Sequence, residues 1–243
     1  MPKGGGNLGF RLLQVLAERA GHSQARLTDA VIDPRQPDNV LSDLGPDTLA
    51  RACDELEDQR RRMCVFFTQA APSSNLALAM AQGWAGALAV SRDPRDLAIA
   101  MVEAGYASFR RPEDVRHRVA RSLETYLDWA MLRETRRFAY EDLSRNGARV
   151  AADLAADLGL LPVNAKLAAK CAQRRADWDG ADWGGTDRPW RHLFEMTRAQ
   201  SRAWEIRFAA FIRAHHASLR SRGALPPPVL RLGARIARAL RAS

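Results

Sequence analysis

Short apolar runs, each followed by a helical pattern, most constrain what this 243-residue chain can fold into. "MCVFFT" (63–68) and "GALAVS" (86–91) are unbroken apolar stretches closed by turn signals, which predicts strands buried on both faces. "RRFAY" (136–140) predicts a further strand. Strands alternating with helices imply an α/β fold with a parallel sheet flanked by helices. Ligands in such sheets bind beyond the carboxyl ends of the strands. The segments "QAAPSS", "RDPRD" and "YEDL" stand at those ends, where they converge with the N-terminal loop "PKGGGN".

The helices have readable boundaries. Phe10, Leu13, Leu16 and Ala17 repeat at three and four, and Gly21 is a stop. "DPRQPDNVLSDLGP" is punctuated by prolines and predicts a loop before the amphipathic "DTLARACDELEDQRRR". "NLALAMAQGW" and "LAIAMVEAGYASF" are helical, and Pro112 opens a helix whose stripe is Val115, Val119, Leu123, Tyr126 and Leu127. "EDLSRNG" predicts a turn into "ARVAADLAADLGL", which Gly159 closes. The remainder is helical around a Trp/Gly/Asp-rich loop at 177–189, with a basic helical segment at 226–243.

The loop suits a small anion. Gly4, Gly5 and Gly6 lack Cβ atoms, so the backbone can curl to positive φ and turn N–H groups inward. The following helix N-terminus adds unpaired N–H groups and the positive end of its dipole. Lys3 adds a point charge, in a chain with only three lysines (Lys3, Lys166 and Lys170) among 37 basic residues. A flexible N-terminus is the competing reading. No Gly-Lys-Ser/Thr follows, so the Walker pattern is absent, and no Gly-x-Gly-x-x-Gly follows a strand, which argues against a Rossmann domain.

Composition narrows the class. With 47% hydrophobic residues the chain can bury one substantial core, so a single domain over 1–243 is expected. No run approaches a membrane span and no signal peptide precedes the loop, which makes a cytoplasmic location the expectation. Cys53, Cys64 and Cys171 are odd in number and widely spaced, fitting neither a disulfide framework nor a zinc site. The adjacent His215 and His216 point apart on a helix and lack a nearby acidic or thiol partner, so no metal is expected. The net charge of +9 is C-terminal: residues 188–243 hold twelve arginines against Glu195 and Glu205, leaving 25 basic and 26 acidic residues before them. Such asymmetry fits nucleic acid or an anionic membrane, but an Arg-rich helix face also meets the needs of solvation alone.

Taken in order, these elements resemble the sulfotransferases that use 3′-phosphoadenosine 5′-phosphosulfate (PAPS). "PKGGGNLGFRLL" resembles that family's 5′-phosphosulfate loop, "SRDPRDLAIAM" its 3′-phosphate segment, and "FAYEDLSRNGARVAADLAADLGL" its late strand-turn-helix unit. "WRHLF" (190–194) resembles the C-terminal loop segment, so the similarity spans about residues 2–205. The resemblance implies a P-loop NTPase-like parallel sheet and sulfuryl transfer to a hydroxyl or amine of a small-molecule or carbohydrate acceptor, without metal and without nucleic acid. It implies that Lys3, Gly4, Gly5, Gly6 and Asn7 hold the 5′-phosphosulfate and that Lys3 stabilises transition-state charge. Arg92 would bind the 3′-phosphate and Tyr140 would lie near the adenine, with Gly185 and Arg188 in the C-terminal loop. Competing readings make Arg92 a turn-capping partner of Asp93 or Asp96, and Tyr140 a core side chain.

Departures from the family pattern bear on activity. The serine eight residues after the phosphate-binding arginine is Ala100, and the loop threonines are Gly6 and Asn7. The histidine that serves the family as general base aligns with Gln69, whose amide takes no proton at neutral pH. The basic pair before Gly185 falls on Trp183 and Gly184, with Arg188 as a substitute cation. Glu18 stands too far along its helix to act as base, and Glu103 is an unsupported candidate. The family's interior strand before the phosphate loop is missing, and a start upstream of Met1 is favoured over neighbours that closed the gap. A catalytically degraded relative that binds nucleotide, or acts as an interaction module, is the alternative. In "PPPVLRLGARIARALRAS", Val229, Leu232, Ile236 and Leu240 share one face, which suits an anionic membrane surface or packing on the chain's own domain. Trp178, Trp183 and Trp190 suggest either an aromatic acceptor surface or core plugs.

Overall fold

The computed structural model describes residues 5–22, 27–28, 31–32, 40–41, 44–58, 64–160, 163–178 and 189–223. Helix α1 (Gly6–Arg19) begins directly after Gly5, which sits at φ 88°. It ends as expected: His22 N–H reaches back to the Ala17 carbonyl while Gly21 takes φ 88°, a left-handed turn that suits a residue without Cβ. Along α1, Leu8, Leu12, Val15 and Leu16 are buried in one cluster, and Phe10 and Ala17 in another.

The expected loop before α2 (Pro46–Asp58) contains a short strand, β1 (Val40–Leu41), which pairs parallel with β2 (Phe67–Thr68). A two-residue strand carries too little periodicity to be seen among prolines. The run predicted over 63–68 makes ladder bonds only at its end. Its described residues before β2 still alternate as extended chain does: Val65 packs with Phe10 and Ala17, whereas Cys64 and Phe66 face the cluster around Leu41, Leu76 and Met80. Helix α3 (Ser74–Ala81) follows, capped by Ser73, whose Oγ accepts the Leu76 N–H at 3.2 Å.

Strand β3 (Ala87–Ser91) leads into α4 (Pro94–Glu103), with Pro94 in the first turn. Helix α5 (Pro112–Met131) then crosses to β4 (Thr135–Ala139), which pairs parallel with β3 from Ala87↔Thr135 to Ser91↔Ala139. The described strands therefore form two separate parallel pairs rather than one continuous sheet. Helix α1 rests on both: a Cβ on Gly9 would meet Leu88 and Val90 of β3, and the Phe10 ring lies 5.9 Å from that of Phe67 in β2. The predicted burial on both faces holds for the end of β3, while Phe67, Thr68, Ala87 and Leu88 are only half-buried.

After β4 the predicted turn is a helix, α6 (Tyr140–Arg145), because Tyr140, Glu141, Asp142 and Leu143 are all drawn into the interior. Helices α7 (Gly147–Asp157) and α8 (Ala165–Trp178) pack with α1 around Leu16, Val150 and Leu154. The described residues close with α9 (His192–Glu195), α10 (Arg198–Arg207) and α11 (Ala209–Ser221). At α10, Thr197 Oγ1 accepts the Gln200 N–H at 3.2 Å and Gln200 Oε1 accepts the Thr197 N–H at 2.9 Å, a reciprocal cap. Thr197→Ala is expected to cost about 1 kcal/mol in urea unfolding. An unchanged midpoint would mean that packing alone holds this helix start.

Candidate functional site

The parallel register of β3 and β4 decides what meets at their carboxyl ends. Because Ser91 pairs with Ala139, the residues that follow, Arg92–Asp93 and Tyr140–Glu141–Asp142, leave the sheet side by side. The Arg92 guanidinium lies over the Tyr140 ring, 4.8 Å from its centroid, and Glu141 Oε1 accepts the Asp93 N–H at 3.2 Å. Gly5 closes on the same place: a Cβ on it would fall 2.4 Å from Tyr140 Cδ2. Gly5, Arg92 and Tyr140, which sequence reasoning assigned to one rim, are thus brought together.

The other predicted positions fare differently. Gly6 touches Phe67, and Asn7 is half-buried in the first turn of α1. Gln69 is exposed just beyond β2. Lys3, Gly4, Gly185 and Arg188 lie outside the described residues, as do Trp183 and the basic segment at 226–243. Ala100 is buried within α4. The candidate bases are already engaged: Glu18 pairs with Arg175 at 2.8 Å, and Glu103 with Arg191.

Around the rim lies a buried polar network that sequence reasoning missed. Asp93, Asp96, Glu141 and Asp142 are each 0% exposed. Asp93 caps α4 through the Arg95 N–H at 2.9 Å and accepts from Arg95 Nε at 2.9 Å and Nη2 at 2.7 Å. It also meets His216 Nε2 at 3.1 Å. Burial opposes its ionisation, but the charges of His192 and Arg95 and the hydrogen bonds from Arg95 and His216 prevail, holding its pKa well below the ordinary 3.8. Asp96 accepts the backbone N–H groups of Trp190 and His192, at 2.6 and 2.7 Å, and meets His192 Nδ1 at 2.8 Å. Asp142 takes Asn146 Nδ2 at 2.7 Å and Arg149 at 2.8 Å, with Arg222 at 3.4 Å.

His215 and His216 do have acidic partners, contrary to the sequence reading; the partners come from distant segments. His215 Nε2 meets Glu141 Oε2 at 3.0 Å and its Nδ1 meets Ser91 Oγ at 3.2 Å. Burial disfavours a charged His215, yet Glu141, with Asp93 and Asp96, outweighs it and raises the pKa above 6.5. Ser91 Oγ also donates to the Phe138 carbonyl at 3.4 Å. The Ser91–His215–Glu141 chain resembles a nucleophilic triad in order only, because its members are buried.

Trp190 also departs from the surface role considered for it. It is 4% exposed, packed with Ala139 and Leu219, and its φ of 70° is uncommon for a side chain of this size. The two N–H groups that Asp96 holds on either side of Arg191 account for that turn. The signal available in the sequence was "RDPRD" beside "YEDL": acidic residues at strand ends, flanked by apolar stretches, imply partners that arrive from elsewhere. Among the described residues no group of side chains is arranged to hold a metal ion, and no helix is long and apolar enough to cross a membrane. No family model, curated protein or solved structure matches the chain.

Proposed function

We propose that this chain is a sulfotransferase-like protein of P-loop NTPase-like fold that binds 3′-phosphoadenosine 5′-phosphosulfate and transfers its sulfuryl group slowly to a hydroxyl or amine acceptor. The observation that carries the reading is the convergence of Gly5, Arg92 and Tyr140 at the ends of parallel strands. The residues fit such a nucleotide in charge and backbone. Gly5 at φ 88° leads into a helix whose first N–H groups have no partner within the helix, which suits the 5′ group. Arg92 offers a planar fork for the 3′-phosphate. Binding needs rearrangement at the rim, since Arg92 is wholly buried and the Tyr140 ring lies on that fork and against Gly5. The Tyr140 ring offers the adenine an aromatic face once it has moved off Arg92.

The bound nucleotide supplies the activated sulfuryl group, and the chain's own residues orient it. Gln69 takes no proton from the acceptor, and a lost general base costs about 10² to 10⁴ in rate. A second reading, nucleotide binding or interaction without turnover, is favoured by Gln69 together with the complete burial of Arg92.

Calorimetric titration of 3′-phosphoadenosine 5′-phosphate against adenosine 5′-phosphate tests the reading. The wild type should prefer the former. Arg92→Ala should weaken it by about 2–4 kcal/mol while leaving the latter nearly unchanged, because only the 3′-phosphate loses its charged partner. Arg92→Lys, which keeps the charge without the fork, should fall between. Equal affinity of the wild type for both nucleotides would remove the cofactor assignment.

A further inference from the structure

Helices α10 and α11 run on from one another. Hydrogen bonds of the i→i−4 kind continue on both sides of Phe208, from its own N–H to the Trp204 carbonyl at 3.0 Å and from the Ile212 N–H to the Phe208 carbonyl at 2.9 Å. The pair is therefore one ridge, up to about 36 Å long. The buried Ser201, Trp204, Ile212, His215 and Leu219 mark its inner side. Its outward side carries charge of one sign. Between residues 198 and 222 the sequence holds six arginines and a single carboxylate, Glu205, which Arg95 takes at 2.5 Å. Arg198, Arg202, Arg207, Arg213 and Arg220 are exposed and make no ion pair with any described residue. Solvation alone does not ask for this, because charges of either sign keep a helix face in water. Helix α5 shows the ordinary mixture, exposing Arg118 and Arg121 among Glu113, Asp114 and Glu124.

Between the arginines the ridge is apolar. Ala199, Ala203, Ile206, Ala210, Ala214 and Ala217 recur at three and four and are all exposed, Ile206 by 73%. Trp204, Phe208 and Phe211 turn the other way, into the α4–α5 cluster, and the Gln200 amide is tied to Thr197. A nucleic acid would meet cations on this face, but no ring to stack on and no free amide to read a base. An anionic bilayer asks for what is present: guanidinium groups at headgroup level and an apolar crest between them. We propose that the outward ridge of α10–α11 docks this protein on an anionic phospholipid surface, the helices lying flat with their five arginines at the lipid phosphates and Ile206 against the acyl chains. The sequence after Gly223 continues the same charge, with Arg231, Arg235, Arg238 and Arg241 and no carboxylate. Gly5, Arg92 and Tyr140 take no part, so the docking stands or falls apart from the nucleotide site.

Co-sedimentation of the full chain with phosphatidylcholine vesicles containing about one-third phosphatidylserine, at about 0.15 M salt, tests the proposal. The chain should bind these vesicles, leave them at about 1 M salt and ignore phosphatidylcholine alone. The triple variant Arg202→Gln, Arg213→Gln and Arg220→Gln should bind about 100-fold more weakly, close to fivefold for each arginine. Ile206→Ser, which leaves the charge unchanged, should weaken binding about fivefold. All four side chains are exposed, so the urea unfolding midpoints should match the wild type and the losses report docking rather than folding. Equal binding to both kinds of vesicle would overturn the proposal. So would vesicle binding that survives the triple variant and disappears when Arg231, Arg235, Arg238 and Arg241 are replaced by glutamine, since the later segment would then be the anchor. If the triple variant loses affinity for an oligonucleotide while Ile206→Ser changes nothing on vesicles, the partner is a nucleic acid and the lipid assignment falls.

Discussion

Asp93→Ala should remove about 3–5 kcal/mol of folding stability, the loss typical when one member of a buried ion pair is deleted. Asp93 is wholly buried and makes a two-pronged pair with Arg95, caps α4 and meets His216. Without it, the Arg95 side chain, 5% exposed, keeps only Ser201 and the half-exposed Glu205 among these partners. Its guanidinium cannot shed its proton to escape the cost. Arg116→Ala is the contrasting case: its i,i+3 partner Glu113 is 80% exposed, and the loss should stay under about 0.5 kcal/mol. Urea unfolding of both variants reads the difference directly. A loss below about 1 kcal/mol in Asp93→Ala would show that the network contributes little.

The pH dependence carries the same signature. Because the folded pKa of Asp93 is depressed, its contribution is present above about 3.8 and is lost as pH falls through the folded value. His215 acts oppositely, contributing below about 6.5 and losing its share as pH rises. The wild type should therefore be most stable between those limits. Asp93→Ala should flatten the acid side of that profile and leave the alkaline side to His215.

Gly5→Ala should cost about 2–5 kcal/mol, from two sources that can be separated. An alanine at φ 88° carries a backbone penalty of roughly 1–2 kcal/mol. Its Cβ would also lie 2.4 Å from Tyr140 Cδ2, 2.8 Å from Cγ and 2.9 Å from Cβ, so the tyrosine must move as a whole; overpacking of this kind costs about 1–3 kcal/mol. Gly21→Ala isolates the first source, since it shares φ 88° but has open space around its Cβ position. It should cost only about 1–2 kcal/mol. Combining Gly5→Ala with Tyr140→Ala should recover the steric part alone. Equal losses in Gly5→Ala and Gly21→Ala would mean that Gly5 does not press on Tyr140, and the convergence of Gly5, ring and Arg92 would lose its main support.

The alternation of strands and helices was legible because each element is specified by neighbours a few residues away. Pro94 and Pro112 open helices in their first turns, Gly21 and Gly159 close them, and the runs at 86–91 and 136–140 become β3 and β4 within a residue. The parallel direction of the strands, and the placement of Arg92 and Tyr140 at their carboxyl ends, follow from that order. Tertiary structure alone decided the rest. His215 meets Glu141 across 74 residues and Ser91 across 124, and His216 meets Asp93 across 123. No periodicity reaches so far, which is why adjacent histidines looked unpartnered. Part of the C-terminal arginine excess has the same explanation: Arg191 is held by Glu103 and Glu195, and Arg222 meets Asp142 and the Phe138 ring. Composition counts charges without saying which of them will be buried together. Trp190 turned inward, and "YEDL" coiled into α6, because docking supplied partners for their polar groups; a segment's own sequence offers the groups, and only the fold can bring what satisfies them.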